Sequence, residues 1–434
     1  MATIERSEAP ASASVSALSP RQARANLGWV SAAHAVIHAT SVLMPLVYIP
    51  IKQEYHFSYT EIGLLVTIPS LVSGLLQLVF GYLGRWVTRK TMLGVGNAIV
   101  GLGIALTGLA NSFALFMGWG VLRSVGGAPQ HPVGSSLLSD TYPKSRRGFA
   151  LAAHVAGGNI GTLAVPAVGA YLIHHFGWRP AIMLFALPGV IAGTGVLLFV
   201  REPALGASHT PRTEPAEEAL RDAPTAEPSR WQTLISPLRH RGVVLIIVAS
   251  MVAAGGRGLG VLTTYFPFYL TNKVKFDGRT VTVLFTILLV GSVLGPLLAG
   301  RLSDTLGRRG VLYSCYGLGA LFTIILPLLF DIRAPIWIYG VEVALLGLSV
   351  YAESPILQAF LADSAPDPLR DRAFGWYFTL AFGIGSLWGT ALGWLIDHVG
   401  FQTTFFVMAG SYAAAALILA GVPVAATRKT QPGA

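Results

Sequence analysis

The feature that most constrains this chain is a succession of apolar blocks, each long enough to cross a lipid bilayer and each followed by a polar stretch. A bilayer's hydrocarbon core is ~30 Å thick, so a spanning helix needs ~20 mostly apolar residues. Such blocks fall near residues 27–50, 60–83, 92–111, 113–138, 148–173, 179–200, 244–270, 280–300, 311–330, 335–361, 372–396 and 402–424. Backbone amides in lipid have no water to bond, and a helix satisfies them within each block. The reading is an all-α membrane protein with twelve transmembrane helices. Charged residues make up 12% of the chain, against roughly 25% in soluble domains. That leaves too little polar surface to coat the two or three soluble domains that 434 residues would otherwise suggest. The 49 glycines recur inside the spans, as close helix packing in lipid requires.

Several function classes drop out. The only cysteine, Cys315, lies in an apolar stretch, so there is no disulfide framework and no thiolate metal cluster. No GxxxxGKS/T loop is present, which removes a nucleotide motor of that type. Residues 1–26 lack the short apolar core of a cleavable signal peptide, so the first span is expected to act as its own insertion signal. A net charge of +10 could suggest nucleic acid, but its placement fits membrane topology instead. With both termini cytoplasmic, the inner segments hold 22 Lys and Arg and the outer loops hold 6, with Arg123 and Arg257 inside spans. Positive charge stays on the cytoplasmic side, so a cell-membrane protein with both ends inside is expected.

The domain reading follows. Residues 1–26 form a flexible cytoplasmic terminus, 27–200 a first six-helix bundle, 201–241 a cytoplasmic linker, 242–424 a second bundle and 425–434 a tail. The linker centre is rich in Pro, Ala and acid, as a tether is. The two bundles are copies. Gly81-Tyr82-Leu83-Gly84-Arg85-Trp86-Val87-Thr88-Arg89-Lys90 after span 2 matches Gly300-Arg301-Leu302-Ser303-Asp304-Thr305-Leu306-Gly307-Arg308-Arg309 after span 8. Pro132/Pro355, Asp140/Asp363 and Gly177/Gly400 keep a common offset further along. Two six-helix repeats with a substrate site between them are a known transporter plan.

The second loop copy, G-x-L-S-D-x-x-G-R-R, resembles the signature of the major facilitator superfamily, and the likeness runs from about residue 27 to 424. Arg123-Ser124-Val125-Gly126-Gly127-Ala128 is similar to that family's span-4 motif. Gly161 to Gly169 with Pro166 partly matches its antiporter motif, with Val165 where a Gly is expected. Gln130-His131-Pro132-Val133-Gly134-Ser135-Ser136, followed by Gly157-Gly158-Asn159-Ile160-Gly161, looks like the fosmidomycin-resistance exporter branch. In the first loop copy Arg85 and Thr88 replace the family's Asp and Gly. A carboxylate at a helix end can latch onto a neighbouring helix and nearby Arg groups. Gating is therefore expected to involve Arg85 and Arg89 in the first half, with the latch resting on Asp304, Arg308 and Arg309 in the second.

Ionisable groups inside lipid cost at least ~2.5–3.5 kcal/mol each, so those present face water, a partner or a substrate. They are His34 and His38 in span 1, Arg123 and His131 in span 4, Arg257 in span 7, and Glu342 and Glu353 in span 10. By the resemblance, those four spans line the central cavity; His154, in span 5, stands apart. Glu342 is the leading proton carrier, because a carboxyl group out of water can alternate between neutral and charged. The competing reading is a fixed pair with an arginine, and its depth would suit Arg123. Glu353 precedes Ser354-Pro355, so capping a helix break competes with coupling. Arg123 either couples or ties span 4 to carbonyls. Arg257, beside Gly255, Gly256, Gly258 and Gly260, can reach an anionic substrate.

His34 and His38 are a helical turn apart, which is metal-ligand spacing, but no third ligand is evident, so no metal is expected. Contact with substrate or plain helix packing are their remaining readings, and His131 is placed with them toward substrate. Tyr265 either lines the outer cavity or joins an interfacial aromatic belt.

The functional expectation is a secondary transporter exporting a small anionic or zwitterionic compound in exchange for protons, by alternating access. It has no cofactor and works as a monomer in lipid. Uptake by symport is the alternative. A non-transporting sensor is the alternative of another class, and no set of groups for an intramembrane enzyme is present.

Overall fold

The computed structural model describes residues 18–84, 86–202, 235–366 and 369–423. Among them the regular structure is helical throughout, with no strand. The first half comprises α1 (Pro20–Tyr55), α2 (Tyr59–Leu83), α3 (Arg89–Thr107), α4 (Phe113–Gly127), α5 (Gln130–Thr141), α6 (Lys144–Leu163), α7 (Val165–Phe176), α8 (Trp178–Leu184) and α9 (Ala186–Phe199). The second comprises α10 (Arg241–Ala253), α11 (Thr263–Phe268), α12 (Gly278–Leu306), α13 (Arg308–Asp331), α14 (Ile336–Val350), α15 (Glu353–Ser364), α16 (Arg370–Tyr377) and α17 (Leu387–Ala420).

Ten helical segments among the described residues are long and apolar enough to cross a membrane. The shortfall against the expected twelve has two causes. Span 4 is divided into α4 and α5 at Ala128-Pro129, so neither piece is long enough alone. Spans 11 and 12 run together through α17 and separate at Gly400, whose φ of 79° breaks the helix. Residues 1–17 and 424–434 and most of the linker, 203–234, lie outside the described residues.

α1 begins at Pro20, inside the segment read as a terminal tail. Ser19 accepts from the Gln22 amide at 3.2 Å and caps it. At ~1.5 Å per residue the helix runs ~54 Å, well beyond the hydrocarbon core. Its extension is fastened by Asn26, wholly buried, which exchanges hydrogen bonds with the Arg201 backbone at 2.8 and 3.0 Å.

The two halves meet along α2 against the first part of α17 and residues 378–383, along α6 and α7 against α12, and along α1 against α11. At the end opposite the linker, Asp397 of the second half accepts from the Tyr59 and Thr60 amides that open α2, at 2.9 and 2.8 Å. Within its own half that helix start is a capping box: Ser58 and Glu61 exchange bonds at 2.7 and 3.1 Å. Asn272 donates to the Tyr59 hydroxyl at 2.8 Å, adding another tie across the seam.

Candidate transport site

In the first half, three helices bring four histidines together. His34 and His38 project from one face of α1, their ring centres 4.5 Å apart. His131, second residue of α5, is edge-on to His34 at 5.0 Å. Its helix is held against α1 and α3 by Gln130, which donates to Val30 O at 3.1 Å and accepts from Asn97 at 3.2 Å. His154 of α6 stacks on His34 at 4.3 Å. That approach depends on Gly158: a Cβ there would lie 2.9 Å from the His34 ring.

His34 Nδ1 faces the His154 carbonyl at 3.2 Å. His34 Nε2, His38 Nδ1 and His154 Nε2 are buried without a hydrogen-bond partner. Phe378, from the second half, lies parallel to the His131 ring at 6.2 Å. Sequence reading set His154 apart from the others; the paired glycines 157 and 158, which let α6 approach α1, were the usable signal.

In the second half, span 7 comes apart between α10 and α11. Gly260 sits at φ 133°, a conformation closed to side-chain-bearing residues, and Leu259 is also non-helical. The break turns Arg257 inward. Its Nη2 donates to the oxygens Ser250 O and Oγ at 2.8 and 2.7 Å, satisfying the end of α10. Its Nε donates to Glu353 Oε1 at 2.6 Å, and its guanidinium lies over the Phe382 ring at 5.2 Å. The side chains are 8% and 1% exposed, so this is a buried ion pair. Glu353 Oε2 remains unpartnered. The Glu353 carboxylate is directed to Arg257, and among the described residues no side chain caps the start of α15.

The competing reading of Glu342, a fixed pair with Arg123, is not what the structure has. Glu342 is 4% exposed and neither carboxyl oxygen has a hydrogen-bond partner. Arg123 instead meets the Tyr48 hydroxyl inside the first half. The reason is lateral: residues at equal depth on spans 4 and 10 face different neighbours. Tyr265, expected toward the cavity or the lipid interface, is 1% exposed and donates to Gly389 O at 2.6 Å and Tyr59 O at 3.2 Å. Its hydroxyl braces the seam between the halves.

The residues expected to gate form clamps within each half. Arg89 bonds Asp140 at 2.6 Å and Glu202 at 3.5 Å. Arg308, its counterpart in the repeat, bonds Asp363 at 3.4 Å and Asp304 at 3.0 Å. Arg309 turns away from Asp304 and donates to Ala420 O at 2.6 Å and Val422 O at 3.3 Å. Arg85 lies outside the described residues.

Two helical halves, each carrying buried polar groups on corresponding spans and touching along a seam, define a membrane transporter of the two-bundle kind. The sequence matches the profile of the Major Facilitator Superfamily over residues 30–390 and again over 277–434, and the chain belongs to that family. It is similar to the fosmidomycin resistance protein of Escherichia coli K12, at 25% identity over 94% of this chain and 95% of that one. It is also similar to the cis,cis-muconate transport protein of Acinetobacter baylyi, at 24% identity over 83% of this chain and 85% of the relative. Among solved structures it resembles a bacterial homologue of the human lysosomal transporter Spinster in its inward-facing, unoccupied form. That match has a TM-score of 0.68 and 17% identity, over 93% of this chain and 96% of the other. The protein is a multi-pass secondary transporter of small molecules and not an enzyme.

Proposed function

We propose that this transporter exports a small organic compound, a zwitterion in the form its site favours, across the cell membrane in exchange for protons, with both termini cytoplasmic and one chain sufficient. The observation that carries the reading is the buried Arg257–Glu353 pair at 2.6 Å. An acidic substrate group competes with Glu353 for Arg257, and a proton competes with Arg257 for Glu353. A cationic substrate group and a proton also compete for Glu353. For a zwitterion, this last competition makes substrate and proton travel in opposite directions, so inward proton flow drives such a substrate out. The name of the Escherichia coli relative, a resistance protein, agrees with export. Glu342 is a second carrier, and Arg123 is the coupling residue of the first half. His34, His38 and His131 face the substrate from the first half.

The same pair favours a second reading, uptake by symport, for a substrate that is only anionic. An anion that draws Arg257 away frees Glu353 to take a proton, so anion and proton occupy the site together and cross together. The muconate relative is named for an organic anion.

Proteoliposomes with a trapped pH dye decide between them. Under an imposed gradient, the vesicles are challenged with phosphonates, carboxylates and betaine-type zwitterions. Export predicts substrate-driven proton movement opposite to substrate, abolished in Glu353→Gln. Proton movement along with substrate establishes symport. Substrate flux with no proton movement in either direction sinks proton coupling.

A further inference from the structure

We infer that His34, His38 and His131 form a binding site for a divalent transition-metal ion of the zinc, cobalt or nickel class. One ring nitrogen from each lies within 4.8 Å of the other two. Metal–imidazole bonds of ~2.0–2.1 Å place ligand nitrogens ~3.4 Å apart in a tetrahedral site. The nitrogens are thus at most ~1.4 Å further apart than the loaded geometry requires. His38 and His131 are half-buried side chains, and ring rotation about their side-chain torsions would close that gap.

Two of the three lone pairs needed are shown by the hydrogen bonding. A backbone carbonyl only accepts, so the contact between His34 Nδ1 and His154 O places the proton of a neutral ring on Nδ1. Nε2 is left with a bare lone pair, buried and without a partner. A ligating histidine fixed through its other nitrogen by a carbonyl is the usual outer-shell arrangement. His38 Nδ1 is likewise buried and unpartnered. An imidazole-only set suits zinc, nickel, copper and cobalt and rejects magnesium and calcium, which need oxygen.

None of the three ligands is negative. Three neutral imidazoles leave the ion's full charge in a lipid-embedded site, so a fourth, anionic ligand from solution completes it. The cluster borders the seam, since Phe378 of the second half lies parallel to the His131 ring at 6.2 Å. Loading and release therefore depend on how the second half is placed.

The test uses full-length protein purified without a polyhistidine tag, in a His174→Ala/His175→Ala background that removes the adjacent pair on α7. Cobalt chloride is titrated while its visible d–d bands are followed, and zinc chloride is titrated calorimetrically. Expected are saturable tetrahedral cobalt bands at one ion per chain, displaced by zinc, with binding at least tenfold weaker in His38→Ala and in His131→Ala. His38→Asn and His131→Asn keep the site polar where an alanine variant fails to fold. Absence of saturable cobalt bands in the parent protein overturns the proposal. So does affinity unchanged in folded His38 and His131 variants, which would assign the binding elsewhere.

Discussion

At the scale of single residues, the second half depends most on Arg257 and Glu353. Removing one member of a buried ion pair leaves the other charge without compensation, at roughly 3–5 kcal/mol. Arg257→Ala should lower the unfolding temperature sharply, and Arg257→Met with Glu353→Leu should recover most of the loss while transport stays absent. Recovery of transport along with stability would give the pair a structural role only. Gly158→Ala is a second check. Its methyl would press on the His34 ring, and overpacking of this kind costs typically 1–3 kcal/mol. Metal binding should weaken with it. The ionisable residues themselves were readable from sequence, because lipid makes each conspicuous. Their partners were not. Arg257 with Glu353 joins spans 7 and 10 through a broken helix, and periodicity gives no azimuth across such a break.

At the scale of elements, α2 is capped twice at one end, by its own Ser58–Glu61 box and by Asp397 from the other half. Loss of a cap costs about 0.5–2 kcal/mol, and here the loss falls on a contact between the halves. Asp397→Ala should therefore favour opening at that end. A cysteine at Thr264, 4% exposed, in a Cys315→Ser background reports it. Its labelling by a membrane-impermeant maleimide should rise about fivefold, the ratio that ~1 kcal/mol gives. An unchanged rate would show that the cap does not hold the seam. The Ser-x-x-Glu signature of the box stands in the sequence, whereas the cap from Asp397 is a long-range contact that only the packed halves create.

At the scale of the whole molecule, the repeat seen in the loop signatures reappears as a repeat of clamps. Arg89 with Asp140 and Arg308 with Asp363 are corresponding pairs built from positions that keep their offsets. They are not equal in strength. The first pair is 12% and 19% exposed and the second 31% and 57%, so solvent screens the second to about 0–1 kcal/mol. Arg89→Ala should destabilise clearly more than Arg308→Ala in thermal unfolding; equal effects would mean that the exposure difference has no energetic weight. Span positions, the two-bundle plan and the loop partners Asp304 and Arg308 were all legible, because lipid thickness and internal repetition write directly into sequence. The turning of Arg309 to the carbonyls at the end of α17 was not, since an arginine after an aspartate reads the same whichever it serves.

These clamps have a bearing on how the chain can be encoded. Each fastens helices of one half to one another, and so do the Asn26 tie to residue 201 in the first half and the Arg309 bonds to α17 in the second. Between the halves the ties are fewer, the Asp397 cap on α2 chief among them. A gene cut within the stretch encoding residues 203–234, with the two products made in the same cell, should thus yield a working heterodimer. A transporter of this design is two proteins that happen to share one message.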